Sequence, residues 1–262
     1  MLALYTAASG MAAQALAVQV ISNNIANLST TGYKRQRAEF QDLLYEHVRQ
    51  VGTQTSSQGN ILPVGIELGT GVKTVGTPRL MTQGNLSSTS NSLDLAIRGD
   101  GFFKILMPDG TFAYTRDGSF NLDSQGRVTT ANGNLVQPGI TIPANAASIT
   151  INQQGQVSVT VPGATAPSVV GQLTLTRFIN EAGLQAIGDN LLVETPASGS
   201  PQDGNPNENG FGNLQQGNLE QSNVDAVVEM TNLITAQRSY EMNSKVITAT
   251  DQMLQTNNNM HT

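Results

Sequence analysis

The stretch VISNNIANLSTTGYKRQ, residues 20–36, carries an apolar segment into a turn and then into the first charged residues of the chain. No Asp, Glu, Lys or Arg precedes Lys34. A surface helix normally shows charged residues opposite its apolar face, whereas this segment has only Ser, Thr, Asn and Gln there. We therefore predict that the chain begins with a helix that is buried against protein.

Apolar residues in this first segment recur every seven residues, which is the spacing of a coiled-coil seam. One position of the repeat holds Leu4, Met11, Val18 and Ile25, and Ala7, Ile21 and Leu28 follow three residues later, with Gln14 as the one break. Residues 29–32 are predicted to end the helix, because Gly32 can adopt the left-handed conformation. The predicted assembly interface on this helix consists of Leu4, Met11, Val18, Ile21, Ile25 and Leu28.

The last segment of the chain predicts a second long helix. Ser222 and Asn223 are suitable N-cap residues, and Asp225 falls in the first turn, where the helix dipole favours a carboxylate. Apolar residues again recur at a seven-residue spacing, and residues 257–259, all Asn, are expected to fray. The predicted assembly interface on this helix consists of Met230, Leu233, Tyr240, Ile247 and Leu254.

Short β-prone runs separated by Asp-Gly and Asn-Gly pairs fill the middle of the chain, as in residues 93–136. Such pairs are the strongest local indication of β-hairpins, so we predict an antiparallel β domain. A short helix is predicted before it, because Phe40, Leu43, Leu44 and Val48 would share a helical face.

These patterns predict an α+β fold. Long N- and C-terminal helices would pair as a coiled-coil-like core domain, with an antiparallel β-rich domain inserted between them. The predicted division is a helical inner core of residues 1–32 and 222–262, connecting segments 33–75 and 195–221, and a β-rich outer domain of residues 76–194.

Composition excludes several classes of protein. The net charge is -6 in 262 residues, whereas a nucleic-acid-binding protein needs a basic surface. The chain has no cysteine, which excludes disulfides and zinc sites built from thiolates. No run of about 18 apolar residues occurs, and the first residues lack the basic start of a cleaved secretory signal. We expect no membrane insertion and no cleaved signal peptide.

No arrangement of residues predicts catalysis, a metal site or a cofactor. His47 and His261 stand far apart, and neither has neighbours in the sequence that suggest a catalytic triad or a metal site. Asp109, Asp117 and Asp123 each adjoin turn residues, where Asp side chains bond to the backbone, and their spacing does not match a calcium loop. The Gly-Asp-Gly at residues 99–101 lacks the third glycine of a dinucleotide-binding loop.

Two interpretations explain the uncharged first helix. It is buried within its own chain, or it is buried between copies of the chain. The second is favoured, because a turn-rich β domain with few large apolar residues is a poor enclosure for a helix. Uncharged polar side chains pack between copies without the cost of burying charge. The two ends of the chain would then fold only when copies associate.

The terminal segments resemble the bacterial flagellar rod and hook axial proteins. The N-terminal resemblance lies in VISNNIANLSTTGYKRQRAEFQDLLYE and the C-terminal one in GNLEQSNVDAVVEMTNLITAQRSYEMNSKVITATDQML. AIRGDGFFKI, AYTRDGSFNLDSQG and QPGITIPANAASITI resemble the middle domain of the distal rod branch. The family signature falls on Asn23, Asn24, Ala26, Asn27, Gly32, Tyr33 and Lys34.

The resemblance implies a structural subunit, exported unfolded by the flagellar type III apparatus, that polymerises into a hollow helical drive shaft. Its partners would be other copies, proximal rod and hook proteins at the two ends, and a ring bushing. The shaft would span the periplasm in the basal body. Three alternatives remain: a proximal rod or hook protein of the same family, a secreted β-rich module that trimerises through its helices, and a cell-wall hydrolase.

Overall fold

The computed structural model describes residues 2–50, 64–163 and 166–260. The chain forms two compact units. The helical unit comprises Met1–Ala26, Gln36–Pro78 and Asp225–Thr262, and the β unit comprises Asn27–Arg35 and Arg79–Val224. Both units are therefore built from segments that are distant in the sequence.

Both predicted long helices are confirmed. Helix α1 spans Leu2–Ala26 and helix α2 spans Ala226–Met260. The N-cap of α2 is Asp225, whose Oδ1 accepts hydrogen bonds from the backbone N–H groups of Val227 (2.9 Å) and Val228 (3.1 Å). The prediction that Ser222 or Asn223 caps the helix is wrong, because α2 starts later than expected. The stretch of three Asn near the C-terminus remains helical.

Two antiparallel strand pairs complete the described part of the helical unit. Strand β1 (Glu39–Asp42) pairs with β4 (Val72–Gly76), and β2 (Tyr45–Arg49) pairs with β3 (Ile66–Gly69). The short helix predicted over residues 40–48 is therefore wrong. The segment is extended because its partner strands, whose paired residues lie 17 to 37 positions further along, satisfy its backbone groups. Such pairing overrides a local helical pattern.

The β unit is antiparallel throughout its described strand pairs, as the hairpin pattern predicts. Its strands are β5 (Leu86–Ser88), β6 (Leu95–Arg98), β7 (Phe102–Leu106), β8 (Phe112–Thr115), β9 (Asn121–Leu122), β10 (Val128–Thr129), β11 (Leu135–Val136), β12 (Ser148–Ile151), β13 (Gln156–Thr160), β14 (Ser168–Gln172), β15 (Leu175–Arg177), β16 (Gln185–Gly188), β17 (Leu191–Val193), β18 (Gln202–Gly204), β19 (Asn213–Gln216) and β20 (Asn218–Glu220). A short 3₁₀ helix covers Glu181–Gly183.

The largest sheet runs in the order β16-β17-β8-β7-β11-β10-β9, and β15 joins β7 to β18. The late strands return to early ones: β18 pairs with β15, β19 with β6, and β20 with β5. These three strands lie in the segment that sequence analysis assigned to a connection. The β unit is therefore completed by residues close to the start of α2.

A dense apolar core fills the β unit. Phe103 and Phe120 are fully buried, and their rings meet edge to face with centroids 5.0 Å apart. A second cluster places Tyr114 against Phe178 at 4.8 Å, again edge to face. Each edge-to-face pair adds about 0.5–1.5 kcal/mol of stability beyond that from the burial of apolar surface. The β unit therefore buries its apolar core with residues of a single chain.

Candidate assembly interface

The predicted interface of α1 is only partly covered within the chain. Leu4, Met11, Val18, Ile21 and Ile25 are half-buried, and Leu28, beyond the end of the helix, is 36% exposed. The most deeply buried residues of α1 are Ala7, Ala13, Val20 and Asn24. Small side chains therefore lie against the rest of the helical unit, while much of the larger apolar surface stays accessible.

Helices α1 and α2 contact each other in an antiparallel direction. The Asn24 side chain donates to Oε2 of Glu229 at 3.3 Å. At the other contact, a Cβ built on Gly10 would lie 2.9 Å from Nδ2 of Asn243. The glycine, which sequence analysis treats only as a weak point of the helix, thus leaves room for the partner helix. Fourteen residues separate these contacts on each helix.

The predicted interface of α2 is more exposed than that of α1. Leu233 and Ile247 are half-buried, whereas Met230, Tyr240 and Leu254 are 58%, 43% and 47% exposed. The buried residues of this helix are Glu229 and Ala236. A single chain therefore leaves three of the five predicted interface residues largely open to solvent.

Asn24, one of the predicted signature residues, organises the chain just beyond α1. Its side chain is completely buried. Its Oδ1 accepts from the backbone N–H of Gln36 (2.9 Å), and its Nδ2 donates to the carbonyl oxygen of Gln36 (2.8 Å). One amide therefore satisfies both backbone groups of a residue twelve positions away, a contact that requires an Asn-like side chain.

Lys34, another predicted signature residue, forms a buried ion pair inside the β unit. Its Nζ lies 2.6 Å from Oε1 of Glu220 and donates to the carbonyl oxygen of Thr82 at 2.9 Å. Arg116 Nη1 lies 3.6 Å from the other oxygen of Glu220. All three charged side chains are nearly inaccessible to solvent. Burial lowers the pKa of Lys34, and the attraction to Glu220 opposes that shift.

The conformation and surroundings of Gly32 explain why a glycine occupies the position two residues before Lys34. Its φ is +66°, and an added Cβ would lie 2.6 Å from the backbone nitrogen of Asp117. Its N–H donates to the carbonyl oxygen of Glu220 at 2.8 Å. Only a residue without a Cβ combines this left-handed conformation with so close an approach. Of the other signature residues, Asn23 and Ala26 are exposed, and Asn27 and Tyr33 are half-buried.

Asn223, near the C-terminal side of the β unit, connects two further segments of it. Its Oδ1 accepts from the backbone N–H of Arg35 at 2.7 Å. Its Nδ2 donates to the carbonyl oxygens of Leu80 (2.8 Å) and Thr82 (3.0 Å). Sequence reasoning missed this role and that of Glu220, because these partners are far apart in the sequence.

The acidic residues near turns behave as predicted. Oδ1 of Asp109, Asp117 and Asp123 accepts hydrogen bonds from backbone N–H groups two residues later. Hydrogen bonds from the Thr111 side chain and backbone hold the pKa of Asp109 below its usual value. Among the described residues, no group of three or more His, Asp or Glu side chains could hold a metal ion. His47 is exposed beside Glu67, and His261 lies outside the described residues.

Length and composition alone would allow α1 to cross a membrane. The helix is long and apolar enough to do so, and little of it is buried within the chain. The expectation of no membrane insertion therefore depends on the polar residues that interrupt the helix. The core helix of a soluble protein and an N-terminal signal sequence meet the same criterion.

Three family models match segments across the chain. A flagella basal body rod protein model matches residues 4–34. A model described as the flagellar hook protein FlgE/F/G D1 domain matches residues 96–159, and one described as the flagellar basal body rod FlgEFG protein C-terminal matches residues 215–260. The first and last cover most of the two helices and several of the residues whose contacts are described above.

Curated relatives match over almost the full length. The flagellar basal-body rod protein FlgG of Caulobacter vibrioides is 56% identical over 97% of both chains. The FlgG protein of Buchnera aphidicola subsp. Acyrthosiphon pisum is 50% identical over 96% of both. The chain belongs to the FlgG family of flagellar basal-body rod proteins. Members of this family are structural components of the rod, and the distal rod branch recognised in the sequence is confirmed.

The match to a hook protein is much shorter. The flagellar hook protein FlgE of Helicobacter pylori is 42% identical over 51% of this chain and only 19% of its own. FlgG proteins and the hook protein thus share a region, but the full-length correspondence is with FlgG. This difference favours a rod component over a hook component.

Proposed function

We propose that this chain is a structural subunit of the flagellar distal rod, which polymerises into a hollow helical drive shaft and transmits torque from the motor to the hook. The observation that carries the proposal is the end-to-end match to FlgG proteins. It is supported by large apolar residues that a single chain leaves open on both terminal helices.

In this proposal the two terminal helices form a coiled-coil-like inner layer, over residues 1–32 and 222–262. The β-rich region, residues 76–194 together with the three strands of residues 202–220 that pair with it, forms the outer layer. Residues 33–75 and the remainder of 195–221 connect the two layers. The antiparallel contact of α1 with α2 supports the pairing of the helices. The complete core of the β unit supports an outer part that keeps its fold in every copy.

The proposed interface consists of the seam residues of both helices. On α1 these side chains are half-buried, so a neighbouring copy would cover what remains exposed. Since α1 has no charged side chain, close packing between copies would bury no unpaired charge. Many such contacts along a helical polymer would resist bending and twisting of the shaft.

A second contact region would be the segment between Tyr33 and Gly76. Strands β2 and β3 expose apolar side chains, with Val48 at 60% and Ile66 at 50%. A two-stranded hairpin is marginally stable in water on its own, so these side chains would gain from contact with a neighbouring copy. Residues 51–63 of this segment lie outside the described residues.

The proposed partners follow from the position in the shaft. Copies of the chain would contact one another, proximal rod and hook proteins would contact the two ends, and a ring bushing would surround the shaft. The type III export apparatus would deliver the chain across the membrane without a cleaved signal peptide, and the shaft would span the periplasm. The role requires no catalysis and no cofactor.

Substitution of Ile21 by Asp tests the proposed interface. The buried, unpaired carboxylate would cost several kcal/mol at each contact between copies, so we expect the variant to remain unpolymerised. Electron microscopy and sedimentation under assembly conditions would measure polymers, beside wild type and the conservative Ile21→Val control. Circular dichroism and protease resistance would report whether the β unit is intact.

Rods formed by Ile21→Asp at the wild-type concentration would contradict the interface. A wild-type chain that forms one discrete closed oligomer under these conditions would contradict the shaft itself and favour the trimeric binding module. Motility in a strain that carries only the variant gives an independent measurement, since loss of the shaft would abolish it.

A further inference from the structure

Two segments of the β unit adjoin the long helices. The leading junction segment, Asn27–Arg35, follows α1, and the trailing junction segment, residues 218–224, precedes α2. We propose that the trailing segment is a latch: it supplies the carboxylate without which the leading segment does not dock on the β unit. The N-terminal junction then closes only in a chain that is complete through β20. The latch acts within one chain, so it goes beyond the proposed polymer and does not depend on it.

Contacts at the end of the leading segment join it to the trailing segment. The backbone N–H of Gly32 donates to the carbonyl oxygen of Glu220 at 2.8 Å, and Nζ of Lys34 lies 2.6 Å from Oε1 of Glu220. The backbone N–H of Arg35 donates to Oδ1 of Asn223 at 2.7 Å. The leading segment therefore makes these contacts only while the trailing segment is in place.

The site that receives Lys34 already holds a second cation. Arg116, directly after β8, places its Nη1 3.6 Å from Oε2 of Glu220, while Lys34 lies at the other oxygen. All three side chains are almost inaccessible to solvent. Burial lowers the pKa of Lys34, Glu220 opposes this shift, and Arg116 adds to it. Without the carboxylate, docking would bring two like charges together out of water, which is strongly unfavourable.

The apolar core of the β unit does not include the junction segments. Among the described residues, neither core cluster contains a member of 27–35 or 218–224. The leading segment also contacts the rest of the unit at Thr31, which donates to Asp117 at 3.0 Å and accepts from Asn190 at 3.1 Å. Single hydrogen bonds of this kind contribute modestly, so they would not hold the segment against the charge repulsion. An open latch is therefore compatible with a folded core.

The order of the chain makes the latch a test of completeness. Lys34 and Glu220 are 186 positions apart, so the cation and its partner come from nearly opposite ends of the chain. In a chain that ends before β20, Lys34 has no carboxylate to meet beside Arg116. The segment that continues from α1 then stays undocked.

Hydrogen exchange of the unpolymerised full-length chain, followed by mass spectrometry, tests the latch. Glu220→Gln removes the charge and nearly keeps the size of the side chain. We expect the amides of residues 27–35 to exchange about tenfold faster or more, since loss of a buried charge partner is strongly destabilising. Strands β7 and β8 should remain protected and exchange far more slowly than the leading segment.

The matched control removes the carboxylate from another lysine of the β unit. Asp203→Asn leaves Lys104 without its ion-pair partner, which lies 2.7 Å away. This pair is the same whether the latch is open or closed. Residues 27–35 should therefore exchange in Asp203→Asn as they do in wild type.

A double variant separates the effect of charge from that of shape. Lys34→Met removes the buried cation, so docking no longer requires a carboxylate. In Lys34→Met/Glu220→Gln, residues 27–35 should therefore exchange more slowly than in Glu220→Gln alone. This recovery would not occur if Glu220 acted only through its size.

Asn223→Ala opens the latch by a milder route. It removes the acceptor of the Arg35 N–H, and residues 27–35 should exchange several-fold faster, as expected for one lost hydrogen bond. Asn205→Ala is its control, because Asn205 is exposed and its side chain bonds to Glu208, outside both junction segments.

Three results would each overturn the latch. Wild-type exchange of residues 27–35 in Glu220→Gln would show that the carboxylate is not needed. Equal protection of that segment and of β7 and β8 would show that the β unit opens as a whole. A double variant as fast as Glu220→Gln would show that charge is not the reason. If Glu220→Gln does not fold, Asn223→Ala decides by the same comparison with β7 and β8. Failure of the wild-type chain to polymerise would contradict the proposed function and leave the latch standing.

Discussion

The helical unit and the β unit satisfy their apolar side chains in different ways. The β unit buries Phe102, Phe103, Phe120 and Tyr114 almost completely. The helical unit leaves Tyr5 65% exposed and Val227 74% exposed, and the buried residues of its two helices are three Ala, one Val, one Asn and one Glu. The β unit therefore has the features of a self-sufficient domain, whereas the helical unit has those of half an interface.

The polar contacts follow the same division. In the β unit a lysine, a glutamate and an arginine are buried together, and removing one member leaves the others without compensation. In the helical unit α1 has no charge and the buried polar groups are few. Substitutions should therefore affect single-chain stability mainly in the β unit and assembly mainly in the helical unit.

Removal of the Glu220 carboxylate should produce the largest loss of single-chain stability. Glu220→Ala leaves Lys34 and Arg116 buried without their partner, and breaking a buried pair in this way typically costs about 3–5 kcal/mol. Urea denaturation followed by circular dichroism would measure the loss. Glu208→Ala, at an exposed position, is the matched control. If Glu220→Ala has the same free energy of unfolding as wild type, the ion pair does not make the expected contribution to stability.

Substitution of Gly32 by Ala should rank second. A non-glycine residue in the left-handed region costs about 1–2 kcal/mol, and the added Cβ would also press on the backbone of Asp117. We expect a lower melting temperature of the β unit. Gly110→Ala is the control, because its φ is also positive but no atom lies within 4 Å of the added Cβ; equal losses in the two variants would show that the close approach contributes nothing.

Substitution of Gly10 by Ala should have the smallest effect. The gain in helix propensity, about 1 kcal/mol, opposes the contact with Asn243, whose side-chain end can rotate away. The free energy of unfolding should stay within about 1 kcal/mol of wild type, by the same magnitude of propensity. A loss as large as that of Gly32→Ala would show that the helical unit is packed as tightly as the β unit and would remove the contrast.

Local patterns were sufficient to predict part of this structure. The seven-residue spacing predicted both long helices, and the Asp-Gly and Asn-Gly pairs predicted the antiparallel hairpins, because a helix face and a tight turn depend on neighbouring residues. The signature residues were found by resemblance alone. Nothing in the composition or spacing indicated that Asn24 would bind the backbone of Gln36 or that Lys34 would be buried.

Long-range pairings were not accessible to the same reasoning. Phe40 and its neighbours have a helical pattern, yet they are extended because β4 supplies their backbone partners. Residues 202–220 lie in a predicted connecting segment, yet they contribute three strands that pair with β15, β6 and β5. In both cases the stabilising partner lies too far along the chain to influence a local pattern.

The sequence by itself determined the helices, the hairpins, the absence of charge in α1 and the family of the chain, because these depend on local periodicity, turn chemistry and composition. Only the tertiary structure decided that Lys34 meets Glu220, that Gly10 adjoins Asn243, and that α2 extends past α1. The physical reason is that a buried charge, a close helix contact and an uncovered end each depend on which distant segment lies opposite.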